Sequence, residues 1–324
     1  MRLRFDVRAM LLLATLVFAL PAAAQRDAGS THQKEWPQLV PADDPAEFNE
    51  ALAAGPELER GRSARALLDD HRKLGVALDA LVPQRKGVVD AYIVSVALDS
   101  DPVFGREARE AGKVLARRFD GAGRSVVLAG GAGPGGSLTS LTLALARVAE
   151  VMDKQQDVLV LYTTSHGAKV GIAYHDGDEG YGILSPARLA AILDELGIRN
   201  RLLILSACYS GVFVPAVSSE TTALFTAASS ERTSFGCMAE NDWTFFGDAM
   251  INHALRKAQP LEAAGIEARD MISGWEMTGG LTPSNPQVTI GDRVKEWLAP
   301  LETRMPSVAT APVGKPATDA LKPG

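Results

Sequence analysis

RLLILSACYSG (residues 201–211) runs four bulky apolar residues straight into small polar ones, with Cys208 at the tip. A short continuous apolar run bounded by turn-forming residues reads as a strand buried on both faces, as parallel sheets require. The chain holds only two cysteines, Cys208 and Cys237. Cys208 is therefore either a small core residue closing a strand or a nucleophile presented at a strand's carboxyl end.

The same pattern recurs upstream. DVLVLYTTSHG (157–167) sets His166 and Gly167 just beyond a second buried strand. AYIVSVA (91–97), RSVVLAG (124–130) and TTALFTAA (221–228) read as further strands. Between them lie amphipathic stretches: GREAREAGKVLARRF (105–119), SLTSLTLALARVAEVM (137–152) and SPARLAAILDELG (185–197). The last has Ser185 as N-cap, Pro186 in the first turn and Gly197 as its stop. Helices follow at 242–258, 261–277 and 292–298, with PQVTI (286–290) as an edge strand. KVGIAY (169–174) and YGIL (181–184) flank HDGDEG, whose Asp-Gly signal marks a hairpin turn rather than a metal loop. Strands alternating with helices predict right-handed βαβ units and a mostly parallel sheet, an α/β fold with its chemistry at the strands' carboxyl ends.

The remainder of the chain frames this body. Residues 1–24 carry three arginines, the apolar run AMLLLATLVFAL (9–20) and the small-residue motif Ala22-Ala23-Ala24. They read as a cleaved secretory signal, too short for a membrane span, and predict a periplasmic or secreted protein. Residues 25–56 read as a polar, Pro-bearing lead-in and 57–81 as a long helix weakened at Gly61 and Gly75; together, residues 25–86 form an ordinary extension packed on a body of 87–302. Pro-, Ala- and Lys-rich residues 303–324 read as a disordered tail. The net charge of −6 falls to −8 once residues 1–24 are removed, which gives no electrostatic footprint for nucleic acid. In an exported chain the two cysteines are also able to pair as a disulfide.

His166 and Cys208 lie beyond two successive strands, so the imidazole and thiol project from one edge of the sheet if those strands are parallel neighbours. A cysteine attacks a carbonyl as thiolate, and a nearby imidazole lowers its pKa and later protonates the leaving amine. The backbone N–H groups of Gly167 and Cys208 are placed to stabilise the oxyanion, and glycine at 167 admits close approach of substrate.

VLVLYTTSHG and LLILSACYSG together resemble the legumain-like cysteine peptidases, the C13 family of the caspase-like group, in its compact bacterial exported branch. The resemblance extends through FTAASSERTSFGCM (225–238) and FFGD (245–248), and covers residues 91 to 290. It implies a caspase-like three-layer α/β/α sandwich with His166 as general base and acid and Cys208 as nucleophile. It also implies a pocket for the residue before the scissile bond built from Arg106, Ser206, Thr233, Ser234, Asp242 and Asp248, and cleavage after Asn or Asp, since a carboxamide offers both donor and acceptor.

Three departures stand out. Ser165 replaces the family's acidic residue before His-Gly, and Ser206 its glutamate two residues before the nucleophile. No residue of ALDSDPVFGRE (97–107) matches its asparagine, leaving His166 without a named orienting partner. Cys237 reads as a small buried residue, and a Cys208–Cys237 bridge would disable the enzyme and, if reversible, act as a redox switch. GGAGPGG (130–136) lacks the features of a phosphate loop and reads as a flexible substrate-side loop. No metal or organic cofactor is expected. The predicted function is a cysteine endopeptidase acting on peptides or proteins. Capture of the thioester by an amine would make it a transpeptidase or transamidase instead, and a non-catalytic binding domain is the reading outside enzymes.

Overall fold

The computed structural model describes residues 33–34, 59 and 61–321, so the signal segment and most of the lead-in lie outside the described residues. Helix α1 (Ala64–Asp79) starts where the Ser63 hydroxyl accepts from the Ala66 N–H. The sequence places its start earlier, at residue 57. Gly61 instead donates to the Asp178 carbonyl at 2.7 Å, which turns this stretch onto the hairpin. A Cβ on Gly61 would meet Asp178 at 2.8 Å, so the close approach requires glycine.

The chain then runs β1 (Ala91–Ala97), α2 (Pro102–Arg118), β2 (Ser125–Leu128), α3 (Leu138–Val151) and β3 (Val158–Thr164). A small antiparallel sheet follows, β4 (Gly167–Ala168), β5 (Gly171–His175) and β6 (Tyr181–Leu184). Next come α4 (Pro186–Glu195), capped by Ser185, then β7 (Arg201–Ser206), the single turn α5 (Val214–Val217) and β8 (Thr222–Thr226). The segment expected as one α-helix over 242–258 is α-helical only in α6 (Phe245–Gly247), continues as a π-helix over Asp248–His253 and ends as a 3-10 turn. Helix α7 (Leu261–Gly279), β9 (Gln287–Ile290) and α8 (Val294–Thr303) complete the body.

The main sheet has the order β2-β1-β3-β7-β8-β9, parallel throughout except for β9, which runs antiparallel to β8 at the edge. Alternate side chains of the central strands feed two cores. Ile93, Val160 and Ile204 pack with Leu115 of α2, Ile272 of α7 and Trp297 of α8. Val94, Leu161 and Leu203 pack with Leu145 of α3, Leu193 of α4 and Leu74 of α1. Each fully buried side chain of this size is worth roughly 1.5–3 kcal/mol, so two helical layers over a doubly buried sheet supply the bulk of the stability. The result is a three-layer α/β/α sandwich. Among the described residues, no helix is long and apolar enough to cross a membrane.

Residues 304–321 do not form the disordered tail that their composition suggests. The Trp243 indole and the Asn252 amide both donate to the Val313 carbonyl, and Asp242 and Asp248 accept from the backbone of Lys315 and Ala317. Ala317 is buried. The segment has little apolar surface of its own, but side chains of the 242–252 stretch satisfy its backbone, which composition does not reveal.

Candidate active site

Register sets the site. Ala97 of β1 is opposite Thr164 of β3, and Thr164 is opposite Ser206 of β7, so three adjacent strands end level. Two residues further on come Asp99, His166 and Cys208. The His166 ring meets Phe104 of α2 edge-on at 5.0 Å, and its carbonyl accepts from Ala173 of β5. Ser165, standing where an acid was expected, is buried and donates its hydroxyl to the Ala173 carbonyl at 2.6 Å. The small sheet thereby braces the histidine.

The stretch that offers no match for an orienting asparagine supplies two carboxylates. His166 Nε2 lies 4.0 Å from Asp99 Oδ2 and 3.9 Å from Asp101 Oδ2, with both aspartates buried. Asp99 also accepts from the Asp101 N–H at 2.9 Å and faces His175 Nδ1 at 3.8 Å. His166 therefore has two buried carboxylates within about 4 Å of its ring, placed to orient it. Asp99, Asp101 and His166 each bring one donor atom within 4.8 Å of the others, a geometry that would also admit a divalent cation.

Cys208 is half-buried. Its sulfur accepts from the Ser234 N–H at 3.2 Å and approaches the Ser234 carbonyl at 3.6 Å. The next residue, Tyr209, is left-handed at φ 56°, which turns the chain sharply at the nucleophile position. Gly167 needs its lack of side chain for a reason other than substrate approach: a Cβ there would sit 2.1 Å from the Cys208 carbonyl oxygen. The His-Gly and Cys segments are thus in backbone contact. Cys237 is half-buried, and its thiol is held well above the ordinary range, first by interaction with Cys208, then by desolvation and the neighbouring charges.

The other expected pocket residues divide. Ser234 touches the Cys208 sulfur, and Thr233 precedes it on the same loop. Arg106 pairs with Asp242 at 3.2 Å and donates to the carbonyls of Ala239 and Asn241, so the two charges hold that loop. Asp248 is no pocket acid: it is wholly buried and accepts from Asn252 and from the Ala317 backbone. Ser206 is likewise interior, donating to Glu107 at 3.1 Å and bonded to the Thr244 hydroxyl.

Glu107 went unnoticed in the sequence. Its buried carboxylate accepts from Tyr162 at 2.5 Å, Thr164 at 2.7 Å and Ser206, and from the Thr244 N–H at 2.8 Å. Burial first and then Glu107 hold the Tyr162 phenol protonated. One carboxylate therefore ties α2 to the ends of β3 and β7, two residues below His166 and Cys208. A glutamate on the apolar face carrying Phe104, Ala108 and Ala111 was the available signal.

Beside the aspartates lies a cavity of about 290 Å³, lined by Asp99, Asp101, Arg109, His175, Asp176 and the 130–136 loop. That loop is closed by Ala129 and Gly130 N–H groups donating to the Pro134 carbonyl, in place of the flexible segment expected. HDGDEG forms the expected turn, with Gly177 left-handed at φ 59°. The lead-in reaches the cavity rim: the Gln33 N–H donates to Asp101 at 3.1 Å, and Lys34 pairs with Asp176.

No curated protein matches the chain. Among solved structures it is similar to caspase-1 from Spodoptera frugiperda, at 11% sequence identity and a TM-score of 0.43, over 64% of this chain and 92% of that one. Residues 140–293, just under half of the chain, match the Peptidase C13 family, a stretch that runs from α3 past β9 and includes both His166 and Cys208.

Proposed function

We propose that the protein is a cysteine endopeptidase with Cys208 as nucleophile and His166 as general base and acid. The observation that carries this reading is the level ending of β3 and β7, which presents both side chains from one sheet edge. The Peptidase C13 match over the same strands supports it. The Cys208 thiolate adds to the scissile carbonyl, and the N–H groups of Gly167 and Cys208 receive the oxyanion. His166, held by Asp99 and Asp101, protonates the leaving amine and then activates the water that hydrolyses the thioester. A preference for Asn or Asp before the scissile bond, drawn from the resemblance, now rests on Arg106 and Asp242 without Asp248. Export through residues 1–24 is part of the same reading; N-terminal sequencing of protein from fractionated cells checks it, with a start at Gln25 expected.

The test is hydrolysis of fluorogenic peptides varied at the residue before the scissile bond, under reducing conditions, with Cys208→Ala as control. Cleavage lost in the control is expected. Amine-capture products in place of hydrolysis would assign a transpeptidase. No turnover, together with a Cys208 inert to thiol probes, would leave a binding domain.

A further inference from the structure

A second cavity, of about 160 Å³, lies between the carboxyl-terminal half of α2, the 3-10 turn over Ala254–Arg256 and the ordered tail. It shares no lining residue with the His166–Cys208 site. Its wall carries five cations, Lys113, Arg117, Arg118, Arg256 and Lys257, against one carboxylate, Glu110. That carboxylate is shared: it accepts from Lys113 at 3.0 Å and from Arg256 at 2.8 Å. Lys257 pairs with Glu267, outside the cavity wall. Among the described residues, Arg117 and Arg118 have no carboxylate partner. They donate to backbone carbonyls, Arg117 to Val308 at 3.0 Å and Arg118 to Leu255, Lys257 and Gln259.

Two of these cations are buried. Arg118 is 3% exposed and the Arg256 side chain 6%, and the Nε of each is buried with no hydrogen-bond partner. A buried donor left unmet carries its full desolvation cost, and a buried cation needs a countercharge. Burial pulls the Arg118 guanidinium down to about 10, and only the Glu302 charge opposes it. Basic residues in the last turn of a helix answer its dipole, which by itself would account for Arg117 and Arg118. It does not account for Lys113 a turn earlier, or for Arg256 and Lys257, which reach the same wall from another segment.

We propose that this cavity binds a small phosphate monoester, its phosphate among Lys113, Arg117, Arg118 and Arg256 and its organic group against Val114, Leu255 and Met305. Guanidinium forks match phosphate oxygens, and a lysine adds a point charge. The five cations set against Glu110, Glu267 and Glu302 leave an excess of two positive charges, close to what a phosphate monoester carries at neutral pH. A single carboxylate would leave half of that excess unanswered. The volume is well below the roughly 300–1,000 Å³ of pockets for drug-sized ligands, which limits the organic group to a few carbon atoms. The site does not depend on the peptidase reading, since it uses neither His166 nor Cys208.

The test titrates the full-length protein by calorimetry with phenyl phosphate, inorganic phosphate and benzoate at one ionic strength. Phenyl phosphate is expected to bind once per chain, more tightly than inorganic phosphate and at least about tenfold more tightly than benzoate, the difference of one charge-assisted bond. Lys113 and Arg117 are exposed, so Lys113→Gln with Arg117→Gln leaves the fold intact; it is expected to weaken phenyl phosphate at least about tenfold. Arg118→Met is expected to abolish binding, and because Arg118 also clamps the 255–259 turn its melting temperature is read alongside. If Arg118→Met does not fold, the Lys113 and Arg117 double variant decides. No saturable heat up to about 10 mM phenyl phosphate, beyond the roughly millimolar range of weak specific binding, would overturn the proposal. So would unchanged affinity in the double variant, or benzoate or inorganic phosphate binding as tightly as phenyl phosphate.

Discussion

Gly167 and Cys208 meet backbone against backbone, with only 2.1 Å between a Cβ built on Gly167 and the Cys208 carbonyl oxygen. A methyl group there has to push either the histidine strand or the nucleophile turn away. Gly167→Ala is expected to lower stability by about 1–3 kcal/mol, the usual range for overpacking. It is also expected to cut peptide hydrolysis at least about tenfold, because displacing a catalytic group by 1 Å is costly. Thermal unfolding and kcat/KM on one fluorogenic peptide measure the two effects; unchanged values in both would contradict the backbone contact.

In the proposed reading Asp99 and Asp101, 4.0 and 3.9 Å from His166 Nε2, orient the histidine rather than touch substrate. Asp101→Asn and Asp99→Asn are each expected to lower kcat about tenfold or more, within the span of general acid–base contributions, with KM nearly unchanged. A rise in KM alone would move these residues from the histidine to substrate binding.

The raised pKa of Cys237 predicts an order of alkylation. Its folded-state value lies above the ordinary thiol range, so Cys237 stays protonated, and protected, until the pH rises well past that range. Iodoacetamide near pH 7.5 is expected to label Cys208 first and spare Cys237, as read by peptide mass. Equal labelling of both would count against the raised Cys237 pKa.

Glu107 accepts four hydrogen bonds with no exposure to solvent. Glu107→Gln puts an amide donor among those donors and is expected to destabilise the fold by about 2 kcal/mol, with Glu107→Ala worse. Denaturant titration reads this, and a neutral result would show that the network relaxes.

The tail is structural. Deleting residues 311–324 removes the partners of Trp243, Asn252, Asp242 and Asp248, leaving Asp248 as a buried, under-satisfied charge. A loss of about 3 kcal/mol is expected from several bonds of about 1 kcal/mol each. An unchanged melting temperature would return the segment to the disorder that its composition suggests.

The strands and helices of the sandwich were legible because doubly buried strands read as apolar runs, and LLIL and VLVLY are such runs. The placement of His166 and Cys208 at one sheet edge was legible for the same reason: each stands immediately beyond its run. Asp99 and Asp101 were not, because their relation to His166 depends on how β1 aligns with β3, which periodicity within one strand does not reveal. Asp248 read as a pocket acid from its FFGD setting, whereas the fold turns it inward to hold a tail whose backbone bonds come from other segments. Glu107 was hidden by being one polar residue on a helix whose average pattern is ordinary.

The level ending of β1, β3 and β7 has a consequence for how this chain tolerates change in length. A single residue inserted or deleted within any of these three strands would shift that strand's contribution by about 3.3 Å and turn it to the opposite face, taking Asp99, His166 or Cys208 out of the constellation. Residues added at the 177–179 turn, beyond the last β5–β6 pair, leave all three in place. Length variation compatible with this chemistry belongs in the turns, and the strands set a spacing that only whole-residue substitution can respect.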